Sequence, residues 1–421
     1  MADGSTGQPD LPPPAPRVRL SQTIESPVMK TFLKWLLRGV LISTAMIVLI
    51  AVLQREKLTR LMAVNSLFSE DRIVENFTSM DTMFENVTLT PQTDTVNRLA
   101  TGAPMDMPAG FTTWARDRAV TGIIVVQNGI IRFEDYPLTA IGETDPANST
   151  RISWSMAKSF LSVLLGILHE DGTIPGLDAP VIQYVPSLAG SAYESASIRN
   201  VMQMSTGVTF DETYLDFWSD INKMGRVLAL GQSMDSFAEG LDETFVEPGT
   251  EWKYVSIDTH ILGMVIRGAT GRSIPDLLTQ KVITPLGPTV TPYYVTDGHG
   301  VAFVLGGLNL TTHDYALFGH MIANGGIAYG TRIVSEGWID ESTAPSANTA
   351  VGDYGYGYQW WIPDGADAGQ FMARGIYGQY IYIDRERGVV IAVNAADRQF
   401  REDGVEDSNI EMFRAIAESL D

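Results

Sequence analysis

The chain predicts an α/β (α+β) fold: an antiparallel sheet flanked by helices, a mainly helical part inserted into it, and one transmembrane helix in front. Three observations carry this expectation. Strand-like runs lie near both ends of the body, at residues 121–136 and 354–394, with helical segments between them. Asn128-Gly129 separates two apolar-rich runs, TGIIVVQ and IIRFEDY, the strongest short-range hairpin signal. The run GVLISTAMIVLIAVL at residues 39–53 carries no charge, and residues 35–53 span 19 positions, close to the ~20 that cross a bilayer as a helix.

Composition sets outer limits. With 421 residues and 45% hydrophobic content, the chain can bury a large core. It has no cysteine, which excludes thiol catalysis, disulfides, Cys-based metal sites and lipidation at Cys. Charge is uneven. Residues 1–60 hold eight Lys/Arg against four Asp/Glu, and the remainder holds 21 against 46. So acidic a body argues against nucleic-acid binding.

Taken in order, residues 1–30 read as a disordered tail and residues 31–55 as a signal anchor. A buried core helix is disfavoured for the anchor, because it is apolar all round. A cleaved signal peptide lacks a small-x-small site in Gln54-Arg55-Glu56-Lys57. Basic residues are in excess before the span (Arg17, Arg19, Lys30, Lys34, Arg38), which favours a cytoplasmic N-terminus and a body outside the cytoplasm. Residues 56–110 read as a membrane-proximal helix and linker, irregular after residue 75. Residues 111–421 read as the main domain, with a helical insertion over about 175–295. Within it, a helix starts near Ser155, and Ser197 caps a helix that Gly207 ends. Residues 211–245 read as helical and acidic. A helix over 258–269 closes at Gly271, another ends at Pro285-Leu286-Gly287, and residues 305–325 read as helical. Residues 354–362, 371–384 and 388–394 return to strand, and a last helix covers about 409–420.

Chemistry concentrates at Ser155-Met156-Ala157-Lys158, the only Ser-x-x-Lys in the chain. Residues three apart share a helix face, so the amine of Lys158 would lie beside the hydroxyl of Ser155. A hydroxyl needs a neighbouring base to act as a nucleophile, and a desolvated Lys is one. The polar segment before this motif and the apolar helix after it place the pair at the mouth of a buried helix. Tyr254 lies in a loop that opens a helix and can relay a proton if a cation polarises it; a Tyr merely packed under a turn is the plainer alternative. Residues 374–384, RGIYGQYIYID, read as a strand in which Gly378 permits a close approach, or simply marks a bulge.

Together, in this order, the three elements resemble the serine β-lactamase/penicillin-binding-protein-like hydrolases. Ser155-Met156-Ala157-Lys158 matches the first motif. Tyr254-Val255-Ser256 is similar to the second motif of the class C and esterase branches, and Ile376-Tyr377-Gly378 sits where Lys-Thr-Gly is expected. Met204-Ser205-Thr206-Gly207, Pro248-Gly249, Pro285-Leu286-Gly287 and the Gly355–Trp361 stretch support the resemblance, which covers about residues 70–421. Residues 211–220 and 375–384 resemble the 6-aminohexanoate-dimer hydrolase branch most.

The resemblance implies a β-lactamase/transpeptidase-like fold and a set of roles. Ser155 would be the acylated nucleophile, Lys158 its base, and Tyr254 the proton relay to the leaving group. The backbone N–H groups of Ser155 and Gln379 would form the oxyanion hole. Ser256 would orient Lys158 or the substrate, and Tyr377 and Gly378 would line the substrate site. No cofactor and no metal are expected. Ile376 stands where a Lys is usual, which shifts the expectation from carboxylate-bearing substrates toward esters or amides of uncharged groups; Arg374 is the nearest cation. The expected substrate is therefore a small ester or amide, and the expected membrane partner is a lipid bilayer at residues 35–53. A Ser-His-Asp hydrolase is disfavoured, because none of His169, His260, His299, His313 and His320 accompanies a Gly-x-Ser-x-Gly elbow. The competing functional reading is a membrane-tethered sensor, or a penicillin-binding-type peptidase, that acylates with little turnover.

Overall fold

The structure, a computed structural model, describes residue 1 and residues 27–420. The described chain divides into two units, one ending at Arg55 and one running from Glu56.

In the first unit, the helix Pro27–Leu53 has 27 residues and is about 40 Å long at 1.5 Å per residue. Val28–Leu53 is long and apolar enough to cross a membrane, and its side chains are exposed. The helix starts earlier than the sequence suggested, taking in residues 27–30 of the expected tail. Residues 2–26 of that tail lie outside the described residues.

In the second unit an eight-stranded sheet forms the frame. Its order is Gly355–Tyr356, Trp361–Ile362, Gln370–Gly375, Gln379–Asp384, Val389–Ala395, Val120–Gln127, Ile130–Asp135, Ala100–Thr101. All neighbours are antiparallel except the last pair. The expected hairpin is present, with Gln127 opposite Ile130 and with Asn128 and Gly129 at φ 49° and 79°, the left-handed pair that such a turn needs. Side chains alternate across the sheet with period two. Ile124, Val126, Ile381 and Ile383 face a large core shared with the helices Ala157–Glu170 and Thr312–Ala323. Ile123, Val125, Tyr380 and Tyr382 face a smaller core closed by Trp114 and Phe413.

Between Gly172 and Pro292 the described elements are helical, apart from isolated bridges. A four-stranded sheet lies beside them in the order Asn86–Thr88, Tyr293–Val295, Leu308–Leu310, Arg151–Ile152. Residues 56–110 do not stand apart as a linker. Asn86–Thr88 pairs with Tyr293–Val295, and Phe77 lies edge-on to Trp154.

Three expectations are corrected. Residues 371–384 are not one strand but a hairpin, because Tyr377 and Gly378 turn the chain at φ 59° and 85°. Residues 305–325 begin as the strand Leu308–Leu310, and the helix starts only after Thr311, whose hydroxyl accepts from the N–H of Asp314. Residues 211–219 form a loop. Asp211 and Asp216 each accept from the N–H two residues on, at 2.9 Å, and these local bonds compete with the helix; helices follow at Asp220–Ala229 and Met234–Glu239.

Candidate active site

Ser155 lies in a short 3-10 turn, Trp154–Met156, that runs into the helix Ala157–Glu170. Lys158 is one turn further on. Its Nζ lies 3.1 Å from the Ser155 hydroxyl, 2.9 Å from the Leu305 carbonyl and 3.5 Å from Ser256 Oγ. The Leu305 carbonyl can only accept. The Ser256 hydroxyl also accepts from Lys158, because it donates to Glu212 Oε2 at 3.2 Å. A neutral amine has two N–H bonds for these partners and one lone pair left for the proton of Ser155.

That neutral form is favoured by burial. Lys158 is 2% exposed, and loss of water pushes its amine down to about 7, with the carboxylates of Glu212 and Asp258 holding it up. Burial and the Glu212 carboxylate raise the Tyr254 phenol well above its usual range, against hydrogen bonds with Ser155 and Ser256 and the charge of Arg374. The Tyr254 ring centroid lies 5.4 Å from Lys158 Nζ.

Ser155, Lys158, Tyr254 and Ser256 are thus brought together. Glu212 joins them; it lies in the 211–220 stretch that carries the resemblance, but nothing in the sequence pointed to this side chain, which acts on Ser256 from 44 residues away, through a loop. It accepts from both the N–H and the hydroxyl of Ser256, satisfying an open amide at the start of the helix Ser256–Thr270. Behind Lys158, Asp258 is buried and bonded to Tyr193 at 2.7 Å and Thr206 at 3.1 Å. Burial raises its carboxyl to about 8.

The third element is arranged differently from a strand with a side-facing motif. A Cβ on Gly375 would lie 2.7 Å from the Ser153 carbonyl and 3.0 Å from the Ser155 nitrogen, so Gly375 is the position where backbone meets backbone. Gly375 and Ile376 line the cleft with Ser155. Gln379 is not among the residues lining it: its side-chain amide donates to Ala395 O at 2.6 Å and Tyr377 O at 3.1 Å, while its backbone lies opposite Gly375 in the hairpin. Gly378 faces Ala395 and Asp397. Tyr377 turns its ring onto Phe68, with centroids 4.6 Å apart. Trp154, next to Ser155, and Tyr377 both hold left-handed backbone, at φ 42° and 59°, strain of the sort that collects at functional sites.

Two compartments meet at Ser155. One, of about 370 Å³, is the more polar of the two and includes Glu212, Lys253, Tyr254, Arg374 and Arg401. Arg374 pairs with Glu406 and covers the Trp361 ring at 4.9 Å, so its charge is partly met within the wall. The other, of about 90 Å³, is apolar. None of the five histidines lines either compartment. His260 instead contacts Asp235 at 2.8 Å, and Arg267 holds the same carboxylate.

A family model described as Beta-lactamase matches residues 120–411. The 6-aminohexanoate-dimer hydrolase of Paenarthrobacter ureafaciens is 30% identical over 252 residues, covering 56% of this chain and 64% of that protein. The match therefore spans less than two thirds of that relative. Penicillin-binding protein 4* of Bacillus subtilis (strain 168) is 24% identical over 190 residues, covering 44% of this chain and 40% of that protein. A solved structure of a candidate 6-aminohexanoate-dimer hydrolase from Bacillus anthracis aligns with a TM-score of 0.72 at 22% identity, covering 84% of this chain and 96% of that one. At that identity the likeness is one of fold.

Proposed function

Because this chain belongs to the β-lactamase family of serine hydrolases, we propose that it is a membrane-anchored hydrolase that cleaves an ester or amide through an acyl-enzyme on Ser155. The observation that carries this reading is the 3.1 Å approach of a buried Lys158 amine, held down to about 7, to the Ser155 hydroxyl.

The Ser155 proton passes to Lys158 Nζ while Ser155 Oγ bonds to the carbonyl carbon. The oxyanion is met by the N–H of Ser155 and by the Gly375–Ile376 peptide, which takes the place expected for Gln379 because it abuts Ser155. The bond to the leaving group then breaks, and the leaving oxygen or nitrogen takes a proton through Tyr254, which Lys158 restores. Water repeats the sequence in reverse roles, giving the acid and the free Ser155 hydroxyl. Ser256 and Glu212 hold the Lys158 amine in place. Ile376 at the usual Lys position, and the pairing of Arg374 with Glu406, support a substrate without a required carboxylate. The helix Pro27–Leu53 serves as the anchor, and the basic excess before it supports a domain outside the cytoplasm.

The test is intact mass of the full-length chain after a fluorophosphonate probe, for wild type and Ser155→Ala, with p-nitrophenyl butyrate turnover alongside. Adduct and turnover that both vanish in the variant are expected. An adduct without turnover would point to the slow-acylating sensor, and no adduct on folded wild type would refute the reading.

A further inference from the structure

We infer that the acyl half of the substrate is a short, uncharged apolar chain of about four carbons, seated in the apolar compartment beside Ser155. This rests on the serine-hydrolase reading above and names the substrate class for it.

Ser155, Tyr214 and Ile376 line both compartments, so a carbonyl bonded to Ser155 Oγ has a space on either side. Tyr254 lines only the polar one. The group that protonates the leaving atom must face it, so the leaving group occupies the polar side and the acyl group the other. That other side is walled by Phe68, Met80 and Phe84 together with Met224 and Leu228. The amide of Asn222, which also borders it, is already committed to the carbonyls of Tyr214 and Asp216 at 2.8 Å. A charged acyl terminus would lose its water there against a lining that is mostly apolar.

Size sets the length. A dry cavity of about 150 Å³ takes a six-carbon benzene ring, so 90 Å³ suits a chain of about four carbons. Gly225 marks the space as kept open. It sits within the helix Asp220–Ala229, where glycine is disfavoured, it borders the compartment, and a Cβ built on it meets nothing within 4 Å. Phe68, Met80 and Phe84 all precede residue 120, where the family match begins. This part of the wall is therefore built by a segment outside the matched region.

The experiment measures p-nitrophenol release, burst phase included, by the full-length chain in lipid nanodiscs, with p-nitrophenyl esters from acetate to octanoate. Wild type is expected to peak near butyrate, with kcat/KM about 15-fold above acetate for the two extra methylenes, and to fall at octanoate. Gly225→Leu fills the space and collapses the butyrate-to-acetate ratio toward one. Phe68→Ala removes a ring from the wall and moves the optimum to hexanoate or longer, an independent reading should Gly225→Leu fail to fold. A chain-length profile that is flat, or unchanged in both variants, with Ser155 still labelled by fluorophosphonate, overturns the inference and leaves the hydrolase reading standing. No release from any ester and no adduct on Ser155 overturns both.

Discussion

Replacing Glu212 by Gln should move the pH dependence of the reaction without dismantling the site. Glu212 Oε2 is 3.2 Å from Ser256 Oγ, which is 3.5 Å from Lys158 Nζ, so the carboxylate and the amine are at most about 6.7 Å apart. At an effective dielectric of about 20, that separation corresponds to about 2.5 kcal/mol favouring the charged amine, just under two pH units. A Gln side chain keeps an oxygen for the Ser256 N–H and removes the charge. Lys158 works as a base only when neutral, so the acid limb of kcat/KM in wild type is expected near pH 7, where the buried amine titrates. In Glu212→Gln it should fall to about pH 5. The plateau should drop as well, by up to about ten-fold, because a weaker base accepts a proton less readily. Limb position rather than height is therefore the readout. The assay is p-nitrophenyl butyrate hydrolysis between pH 4 and 9 in both proteins. An acid limb that stays within half a unit, or moves upward, would refute the assignment of that limb to Lys158 and of Glu212 as its charge partner.

Other expectations can be checked directly. Tyr254→Phe should lower kcat by about 10²–10⁴-fold while leaving fluorophosphonate labelling of Ser155 in place, since it removes the proton relay and not the nucleophile. Gly375→Ala would place a methyl 2.7 Å from the Ser153 carbonyl and displace the turn that carries Ser155; a loss of about 100-fold in kcat/KM is expected, with melting temperature recorded to separate displacement from unfolding. Gly166→Ala would put a Cβ 2.3 Å from the Trp338 indole in the packed core, and should destabilise the domain by about 1–3 kcal/mol in denaturant titration. Asp258 gives a stability slope. Its folded carboxyl is raised to about 8, so its contribution is full below the ordinary carboxylate range and is lost as pH rises toward 8. Asp258→Asn should flatten that fall in unfolding free energy between about pH 4 and 8.

Sequence periodicity and turn chemistry went far here. The uncharged run at residues 39–53, the Asn128-Gly129 hairpin and the capped helix after Ser197 are local signals, and the structure has a helix, a hairpin and a capping box at those places. The pairing of Ser155 with Lys158 was equally legible, since it follows from three-residue spacing on one helical turn. Tyr254 and Ser256 needed the motif order as well, because nothing local says that a loop about 100 residues downstream folds back onto Ser155. Other features were decided only in three dimensions. The left-handed backbone at Tyr377 and Gly378 turns an apparent strand into a hairpin, which brings Gly375 and Ile376 to the cleft and turns the Gln379 side chain away from it. Glu212 reaches Ser256 across 44 residues, and Phe68 reaches Tyr377 across more than 300, to wall the apolar compartment. Such contacts leave no trace in spacing, because loop closure costs only slowly more with length and long-range partners need share no pattern. What the sequence determined by itself is the elements with a local signal, the apolar helix, the Asn128-Gly129 hairpin and the Ser197-capped helix, and which nucleophile lies beside which base. The depth of Lys158's burial, the charge set against it and the two compartments that divide a substrate at Ser155 came only with tertiary packing, which alone removes water from those groups.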